Sequence, residues 1–386
     1  MTSEALLALR THRAAARRPP PVLRVADLVD GPDFVAMEGE WNALVEAGRP
    51  EPFYRHEYVR SLLDHFAPTA PLRVVTARDA RGRLVAGLPL VAARGSICGI
   101  GVRELASPTN VHSLRFDLVA QDPEGAAEAM LDHLAADGSW DVIRIGDVRE
   151  GGNAWWLYRA ARAAGFPVGA WEAQRSPYLA LPSSYAELLD GRRTGFKANL
   201  RRRRRRLGER GEVRVERFAG EDLTERKLEE CLALERSGWK GEQGSAVSQS
   251  EAAHGFHLDL LRSAGFRRHL SLFRLTLDGQ PIAFHYGITT DGVYSLVLTS
   301  YLERFKELSP GHLLTGEVLE DCIFRQLREF DFLGCDLPWK LEWTRTLRSH
   351  HWLYIFRDSL FGRSLRLIKF GWVPAVRRRL VGRRSP

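Results

Sequence analysis

Residues 306–312, Lys-Glu-Leu-Ser-Pro-Gly-His, combine residue types that suit the binding of an anion. Pro310 can fix the entry of the chain into a following helix, Gly311 allows a ligand to approach the backbone closely, and Lys306 adds a positive charge. The first N–H groups of a helix have no partner within it, and together with the helix dipole they attract negative charge. The segment predicts an anion-binding loop, and a capped helix after a turn would show the same pattern.

Six consecutive arginines, residues 201–206, are the densest charge in the sequence. The surrounding segment 192–217 holds twelve basic and three acidic residues, a net charge of +9 in a chain whose total is +8. Helical spacing would distribute the six arginines around the whole circumference, so that some face the protein or an anion. The aromatic residues and base-reading motifs of nucleic-acid-binding proteins do not accompany them. We interpret the run as a clamp for phosphate groups or as a solvated helix, and we do not expect nucleic acid as a partner.

The cysteine and histidine patterns indicate neither a disulfide framework nor a metal site. The four cysteines are scattered without CxxC spacing, which favours a reducing compartment. His254 and His257 have HxxH spacing but lack a third ligand, so we predict that no metal is bound. No apolar run has the length of a membrane span, and residues 1–21 lack the apolar core of a signal peptide. We expect a flexible leader on a cytoplasmic protein.

The elements around the 306–312 loop predict a mixed α/β sheet. Asp278-Gly279 is a tight turn between two apolar segments, which predicts a hairpin. A third strand precedes the loop, and a helix then leads to a last strand. A crossover helix makes its flanking strands parallel, so they can splay apart at one end. The predicted strands cover residues 270–277, 282–288, 292–300 and 330–334, and the helix covers residues 311–328.

Four sequence matches at nearly constant offset indicate an internal duplication. An aromatic residue with a Leu-Leu pair, a turn that opens an apolar strand, a tryptophan and a short apolar strand each recur in the same order. We predict a duplicated α/β fold with two mixed sheets flanked by helices, in halves 22–175 and 176–356, followed by a basic tail, 357–386. The matches pair Trp41 with Trp239, 58–63 with 256–261, 81–86 with 278–283, and 140–146 with 330–334.

The second half resembles the CelD/BcsL-type acetyltransferase domain of the GNAT superfamily, which is related to the FemABX peptidyltransferases. This resemblance implies a GNAT-like fold and transfer of an acyl group, acetyl in the simplest case, from acyl-CoA to an amine or hydroxyl. The family often serves polysaccharide or envelope metabolism, which implies a small-molecule or saccharide acceptor. The motifs that carry it are SPYLAL (176–181), FKANLRRR (196–203), LERSGWK (234–240), LSPGHLL (308–314), FDFLG (330–334) and DLPWK (336–340) with Trp343.

The resemblance also assigns residues to the donor and the acceptor. In place of the usual Gln/Arg-x-x-Gly-x-Gly/Ala phosphate loop, this chain has only Ser309-Pro310-Gly311. The candidates for binding acetyl-CoA or another acyl-CoA are Lys306, Ser309, Gly311, His312 and Leu313. The candidates for binding the acceptor are Lys197, Arg201, Trp239 and Trp339.

Acyl transfer requires a base for the attacking group and donors that hold an oxyanion. Asp336 follows the strand 330–334 and is a candidate base, although an Asp in this position also forms turns. His285 lies within a strand and could titrate near neutrality, or could be a structural residue. Lys340 could stabilise negative charge. Backbone N–H groups at the end of the strand 292–300 could hold the oxyanion.

Two other functions remain open. The FemABX relatives use aminoacyl-tRNA, and in that case the arginine helix would contact RNA. A non-catalytic anion- or RNA-binding protein on a decayed transferase fold is favoured by the changed phosphate loop, while the intact segment 308–343 argues against it. The tail segment 360–373 mixes large apolar and basic residues, which is typical either of an interfacial helix on an anionic membrane or of a helix docked on the body. The first alternative would make the protein peripheral to the inner membrane.

Overall fold

The computed structural model describes residues 23–372 except residues 30, 49, 239–243 and 245. The described chain forms a mixed sheet of thirteen strands. The strands are β1 (Arg24–Leu28), β2 (Leu72–Arg78), β3 (Leu84–Ile97), β4 (Ile100–Ala106), β5 (Val119–Ala120), β6 (Val142–Arg149), β7 (Val168–Ala180), β8 (Val213–Ala219), β9 (Leu270–Leu277), β10 (Gln280–Thr290), β11 (Val293–Tyr301), β12 (Glu329–Asp331) and β13 (Leu347–Phe356).

Helices cover both faces of this sheet, so β9 is buried along nearly its whole length rather than on alternate residues. The helices are α1 (Gly31–Ala36), α2 (Glu38–Ala47), α3 (His56–Phe66), α4 (Pro123–Ala136), α5 (Ala154–Ala163), α6 (Tyr185–Asp190), α7 (Phe196–Gly208), α8 (Glu225–Arg236), α9 (Glu251–Arg262), α10 (Ala264–Arg267), α11 (Pro310–Phe324), α12 (Pro338–Leu341) and α13 (Leu360–Leu367).

The two halves of the sheet have the same strand pattern, each read from its own outer edge towards the centre. The strand order runs β1-β2-β3-β4-β6-β13-β7-β12-β11-β10-β9-β8, with β5 paired to β3. In each half four antiparallel strands lead through a helix to a strand parallel with the fourth: β6 beside β4, and β12 beside β11. The last strand of each half is exchanged, because β7 pairs with β12 and β13 pairs with β6. This order confirms the predicted duplicated α/β fold.

The exchanged strands join the two predicted sheets edge to edge. β7 pairs antiparallel with β13 over residues 168–177 and with β12 over residues 178–180. It therefore runs through the boundary predicted between residues 175 and 176. The limits predicted for the two halves remain predictions, but their sheets are continuous.

The helices that aligned in the repeat pack against each other where the halves meet. Tyr58 of α3 lies edge-to-face on Phe256 of α9, with ring centroids 5.2 Å apart. Both side chains are fully buried in a core built from both halves. Trp41 of the same core donates its indole N–H to the Tyr54 carbonyl at 2.8 Å. Its predicted counterpart, Trp239, lies outside the described residues.

The predicted elements around the 306–312 loop are present with shifted ends. The β9–β10 hairpin turns at Asp278-Gly279, both with positive φ as a tight hairpin turn requires. Helix α11 ends at Phe324 rather than at 328, because Gln326 adopts a left-handed φ of 57°. Strand β12 ends at Asp331 rather than at 334, because Leu333 and Gly334 have φ of 49° and 55°.

The first part of the basic tail is docked on the body as helix α13. Leu365 of this helix is fully buried, in a cluster with Tyr354 and Phe356 of β13. The following turn, Ile368–Trp372, places Phe370 against Gly169 of β7. The predicted leader and residues 373–386 lie outside the described residues. Among the helices of the described chain, none has the length and apolar character that a membrane span needs.

Candidate functional site

A cavity of about 570 Å³ lies where strands β11 and β12 separate. The parallel strands pair only over three residues, from Val293 opposite Glu329 to Ser295 opposite Asp331, and then diverge. This is the splay predicted from the crossover helix. Six of the predicted site residues line the cavity: Lys306, Ser309, Gly311, His312, Trp339 and Lys340.

A β-bulge distorts β11 at the cavity wall. Tyr286 of β10 pairs with Leu298 and Gly287 pairs with Leu296, so Val297 is an extra residue in β11. A bulge interrupts the ladder and bends the strand at that point. Leu296 and Val297 both line the cavity. The bulge thus lies in the cavity wall, in the middle of β11, whereas the sequence predicted donors for an oxyanion at the end of this strand.

Helix α11 starts at the mouth of the cavity without a side-chain cap. It begins at Pro310, after Ser309 in a left-handed conformation with φ 49°, and the Ser309 hydroxyl makes no capping hydrogen bond to the helix. That hydroxyl instead lies 3.3 Å from the Lys306 carbonyl. A Cβ added at Gly311 would meet only Tyr301, at 3.5 Å. The positive end of a fifteen-residue helix thus meets the cavity beside the exposed Lys306.

The corresponding place in the first half is closed. The N-terminus of α4 is capped by Asp122, whose carboxylate accepts from the Gly125 N–H at 3.3 Å, so it already faces a negative charge. The chain after β4 stays in the gap between β4 and β6: the Ser107 hydroxyl accepts from the Gly146 N–H at 2.9 Å. In the first half, Asp122 occupies the helix N-terminus and Ser107 bridges the two strands that would have to separate. The candidate site therefore belongs to the second half.

His312 is the imidazole in the cavity wall. Its Nε2 lies 3.1 Å from Glu342 Oε2. Burial lowers the pKa of His312; the nearby Glu342 opposes this shift, and Arg203 and Arg193 add to it. The ring is therefore neutral at pH 7 and can accept a proton.

Lys340 also lines the cavity, from the short helix α12. Its side chain is buried, and its Nζ donates to the carbonyl of Leu333, in the segment that turns away from β12. A Cβ at Gly334 would come within 3.4 Å of this Nζ. Lys340 thus holds the turning segment and contributes a positive charge at the cavity, and its predicted part in catalysis stays a prediction.

Two of the predicted catalytic residues lie elsewhere. Asp336 is beside the cavity and not in its wall; its carboxylate is 2.8 Å from Arg175 of β7. His285 is fully buried beneath α11, with Nε2 3.2 Å from the Thr315 hydroxyl. The expectation that His285 titrates near neutrality is wrong, because burial lowers its pKa to about 3.

The remaining predicted residues are dispersed. Leu313 points into the core under α11 and is 6% exposed. Lys197 pairs with Asp190 at 2.8 Å, and Arg201 is exposed on α7; neither lines the cavity. Trp239, the other predicted acceptor contact, is outside the described residues.

Sequence reasoning missed cavity residues from distant parts of the chain. Leu114 of the first half lines the cavity from a left-handed conformation with φ 60°. Thr315 and Phe332 line it from α11 and from the segment after β12. Leu114 carries no local sequence signal, since it reaches the cavity through the packing of the halves. In the described part of the chain no cluster of His, Cys, Asp and Glu could hold a metal ion.

A buried ion network supports the strand that forms one side of the cavity. Asp331, at the end of β12, is fully buried and pairs with Arg115 of the first half and, at 2.7 Å, with Arg348 of β13. Burial alone would raise the pKa of Asp331, but the two arginines outweigh it and hold the pKa below its ordinary value. Arg115 also pairs with Glu51 at 2.8 Å. The splay of β11 and β12 is therefore anchored by charges from both halves.

One family model matches the part of the chain that forms most of this cavity. Residues 194–341 match the family model of the acetyltransferase (GNAT) domain. The matched segment runs from α7 to the end of α12 and so contains the splayed strands, the uncapped helix and Lys340. No curated protein sequence matches the chain. The GNAT part of the predicted resemblance is confirmed, and the CelD/BcsL type stays a prediction.

Solved structures share the fold of the whole described chain at low identity. FemX superposes with a TM-score of 0.59 at 11% identity, covering 87% of this chain and 98% of its own. The C-terminal domain of a protein assigned as a lysylphosphatidylglycerol synthetase from Agrobacterium fabrum gives 0.51 at 12%, covering 87% and 95%. L-PGS from Bacillus licheniformis gives 0.51 at 12%, covering 88% and 96%. Each therefore resembles both halves and not the second alone.

Proposed function

We propose, on the basis that residues 194–341 match the family model of the GNAT acetyltransferase domain, that the protein transfers an acyl group from an acyl-CoA to an amine or hydroxyl in the cavity between β11 and β12. The observation that carries the proposal is the meeting of three features at one place. The splay opens a cavity of about 570 Å³, the uncapped start of α11 faces it, and the β11 bulge lies in its wall.

The donor's pyrophosphate would bind at the start of α11. The positive end of the α11 dipole and the Lys306 ammonium supply positive potential there, and Gly311 lets the phosphate approach the backbone. The volume lies within the usual range for small-molecule sites, roughly 300–1,000 Å³. The thioester arm would then pass between the separated strands toward the bulge.

In the chemical step His312 is the base that this geometry favours over Asp336. An ionised Glu342 would hold the proton of His312 on Nε2, which leaves Nδ1 unprotonated. The attacking nitrogen or oxygen bonds to the acyl carbon as its proton passes to Nδ1. Backbone N–H groups at the bulge hold the oxyanion, and the C–S bond then breaks as the proton returns to the departing sulfur.

Binding of the donor is tested by thermal unfolding of the full chain. A ligand that binds only the folded state raises the melting temperature. At a concentration one hundred times Kd it adds about 2.7 kcal/mol to the free energy of unfolding. Acetyl-CoA and free CoA should both raise it, while pantetheine, which lacks the pyrophosphate and nucleotide, should have a much smaller effect. A melting temperature unchanged by saturating acetyl-CoA would contradict the proposed donor.

An aminoacyl-tRNA donor is the second candidate, because FemX shares the fold and α7 exposes a basic surface. Arg201, Arg202, Arg205 and Arg206 of this helix all lie on the exposed side. A tRNA-dependent enzyme would bind RNA with an affinity that falls steeply with salt, by about −0.7 to −0.9 in log–log slope for each phosphate contact. We expect weak, non-specific RNA binding at most. The small-molecule or saccharide acceptor and the cytoplasmic location stay predictions from the sequence.

A further inference from the structure

Helix α13 has large apolar side chains on two opposite faces. On the inner face Leu365 is buried against the body, beside the buried Gly362. On the outer face Leu360 is 87% exposed and Leu367 is 53% exposed, while Phe361, 44% exposed, lies on the flank between the two faces. Residues 360 and 367 are seven positions apart, which places them on one face, two turns from each other. A surface helix normally carries polar residues on its outer face, so packing against the described residues 23–372 does not account for these exposed leucines.

Positive charge surrounds the apolar stripe. Arg366 is exposed on the same helix, and Arg363, also exposed, is paired with Asp358 at 2.7 Å. Lys369, in the following turn, lies 4.2 Å from the ring of Trp171, which is itself 40% exposed. In the sequence, residues 357–386 contain nine basic residues and one acidic residue. Exposed leucine, phenylalanine and tryptophan set among arginine and lysine match the chemistry of an anionic bilayer surface, which offers acyl chains below a layer of phosphates.

We infer that the outer face of α13 docks the protein on a lipid bilayer that contains anionic phospholipids. Leu360 and Leu367 enter the boundary between headgroups and acyl chains, with Phe361 at the edge of the contact, and Arg366 and Lys369 meet the phosphates. A second copy of the chain fits less well, because a stable protein interface takes roughly 20–30 residues a side, whereas this stripe offers Leu360 and Leu367 with Phe361 at its edge. The inference does not depend on the proposed acyl transfer.

Vesicle co-sedimentation of the full chain tests the inference. Vesicles of phosphatidylcholine with a large fraction of phosphatidylglycerol should bind the protein, and vesicles of pure phosphatidylcholine should bind it at least tenfold more weakly, because charge and insertion act together. The double variant Leu360→Gln/Leu367→Gln should lose about tenfold or more in affinity for the anionic vesicles, since burying one leucine side chain contributes about that factor. Glutamine keeps the helix propensity.

The control is Phe324→Gln at the end of α11, outside the proposed surface. The Phe324 side chain is 86% exposed, as much as that of Leu360. This substitution should leave vesicle binding unchanged, and the melting temperatures of all variants should match the wild type because every changed side chain is exposed. Failure of the wild type to bind anionic vesicles, or equal binding by the leucine variant, would overturn the inference. A wild-type dimer in sedimentation that the leucine variant converts to a monomer would assign the stripe to a second copy instead.

Discussion

The substitution Gly311→Asp places a negative charge where the donor's pyrophosphate is proposed to bind. The new side chain fits, because its Cβ would meet only Tyr301 at an ordinary contact distance of 3.5 Å, and Gly311 does not have a positive φ. A carboxylate in the first turn of a helix also interacts favourably with the helix dipole. We therefore expect the variant to fold with nearly unchanged stability.

The expected loss of donor affinity follows from charge repulsion. Two unit charges about 4 Å apart in a partly screened site repel by about 4 kcal/mol, and by about half of that if the phosphate shifts outward. An increase of about 2–4 kcal/mol in binding free energy weakens Kd by roughly thirtyfold to a thousandfold. Isothermal titration of acetyl-CoA into both proteins measures this change.

The matched control is Gly138→Asp, which adds the same charge at an exposed position where a Cβ meets no atom within 4 Å. It should bind acetyl-CoA as the wild type does. Equal affinities in all three proteins would refute the assignment of the α11 N-terminus to the pyrophosphate.

Three further results are expected. Asp331→Asn should lower the free energy of unfolding, measured by urea denaturation, by about 3 kcal/mol because it breaks a fully buried ion pair. Asp336→Asn, which removes the more exposed ion pair with Arg175, should lower it by under about 1 kcal/mol. Equal losses in the two variants would contradict this account. The pKa of Asp331 is lowered in the folded state, so its ionised form should stabilise the fold fully above the unfolded pKa of about 3.9, and this stabilisation should be lost as pH falls through the lowered pKa. A free energy of unfolding that increases as pH falls through this range would contradict the account. His312→Ala should reduce kcat by about 10²–10⁴-fold, and wild-type kcat/KM should fall as pH drops through a pKa below 6.5, whereas a rate unaffected by the substitution would exclude His312 as the base.

Local signals predicted the elements around the cavity well. The Asp278-Gly279 turn and the apolar segments on either side of it specify the β9–β10 hairpin, and Pro310 marks the start of α11, because each depends on neighbouring residues alone. The ends of α11 and β12 were misplaced because local signals did not mark them. Gln326 and Leu333 end these elements in left-handed conformations, which are uncommon for residues other than glycine, and the sequence alone did not indicate them.

Long-range packing determined what the sequence could not predict. The repeat indicated two similar halves, but the exchange of β7 and β13 depends on pairing between segments nearly 180 residues apart in the chain. Leu114 reaches the cavity, and Arg115 reaches Asp331, only because the halves share this sheet. The motif around residues 336–340 was located correctly, yet the direction of each side chain decides its role: Lys340 faces the cavity wall and Asp336 faces Arg175.

The stoichiometry of acetyl-CoA binding tests the central claim most directly. The chain repeats its fold, but the first half caps its helix with Asp122 and fills its strand gap with Ser107, so the second half alone offers the site. Isothermal titration of the wild-type protein should therefore give one acetyl-CoA per chain. Two sites per chain, or saturating acetyl-CoA that produces no binding signal at any temperature tried, would contradict the account.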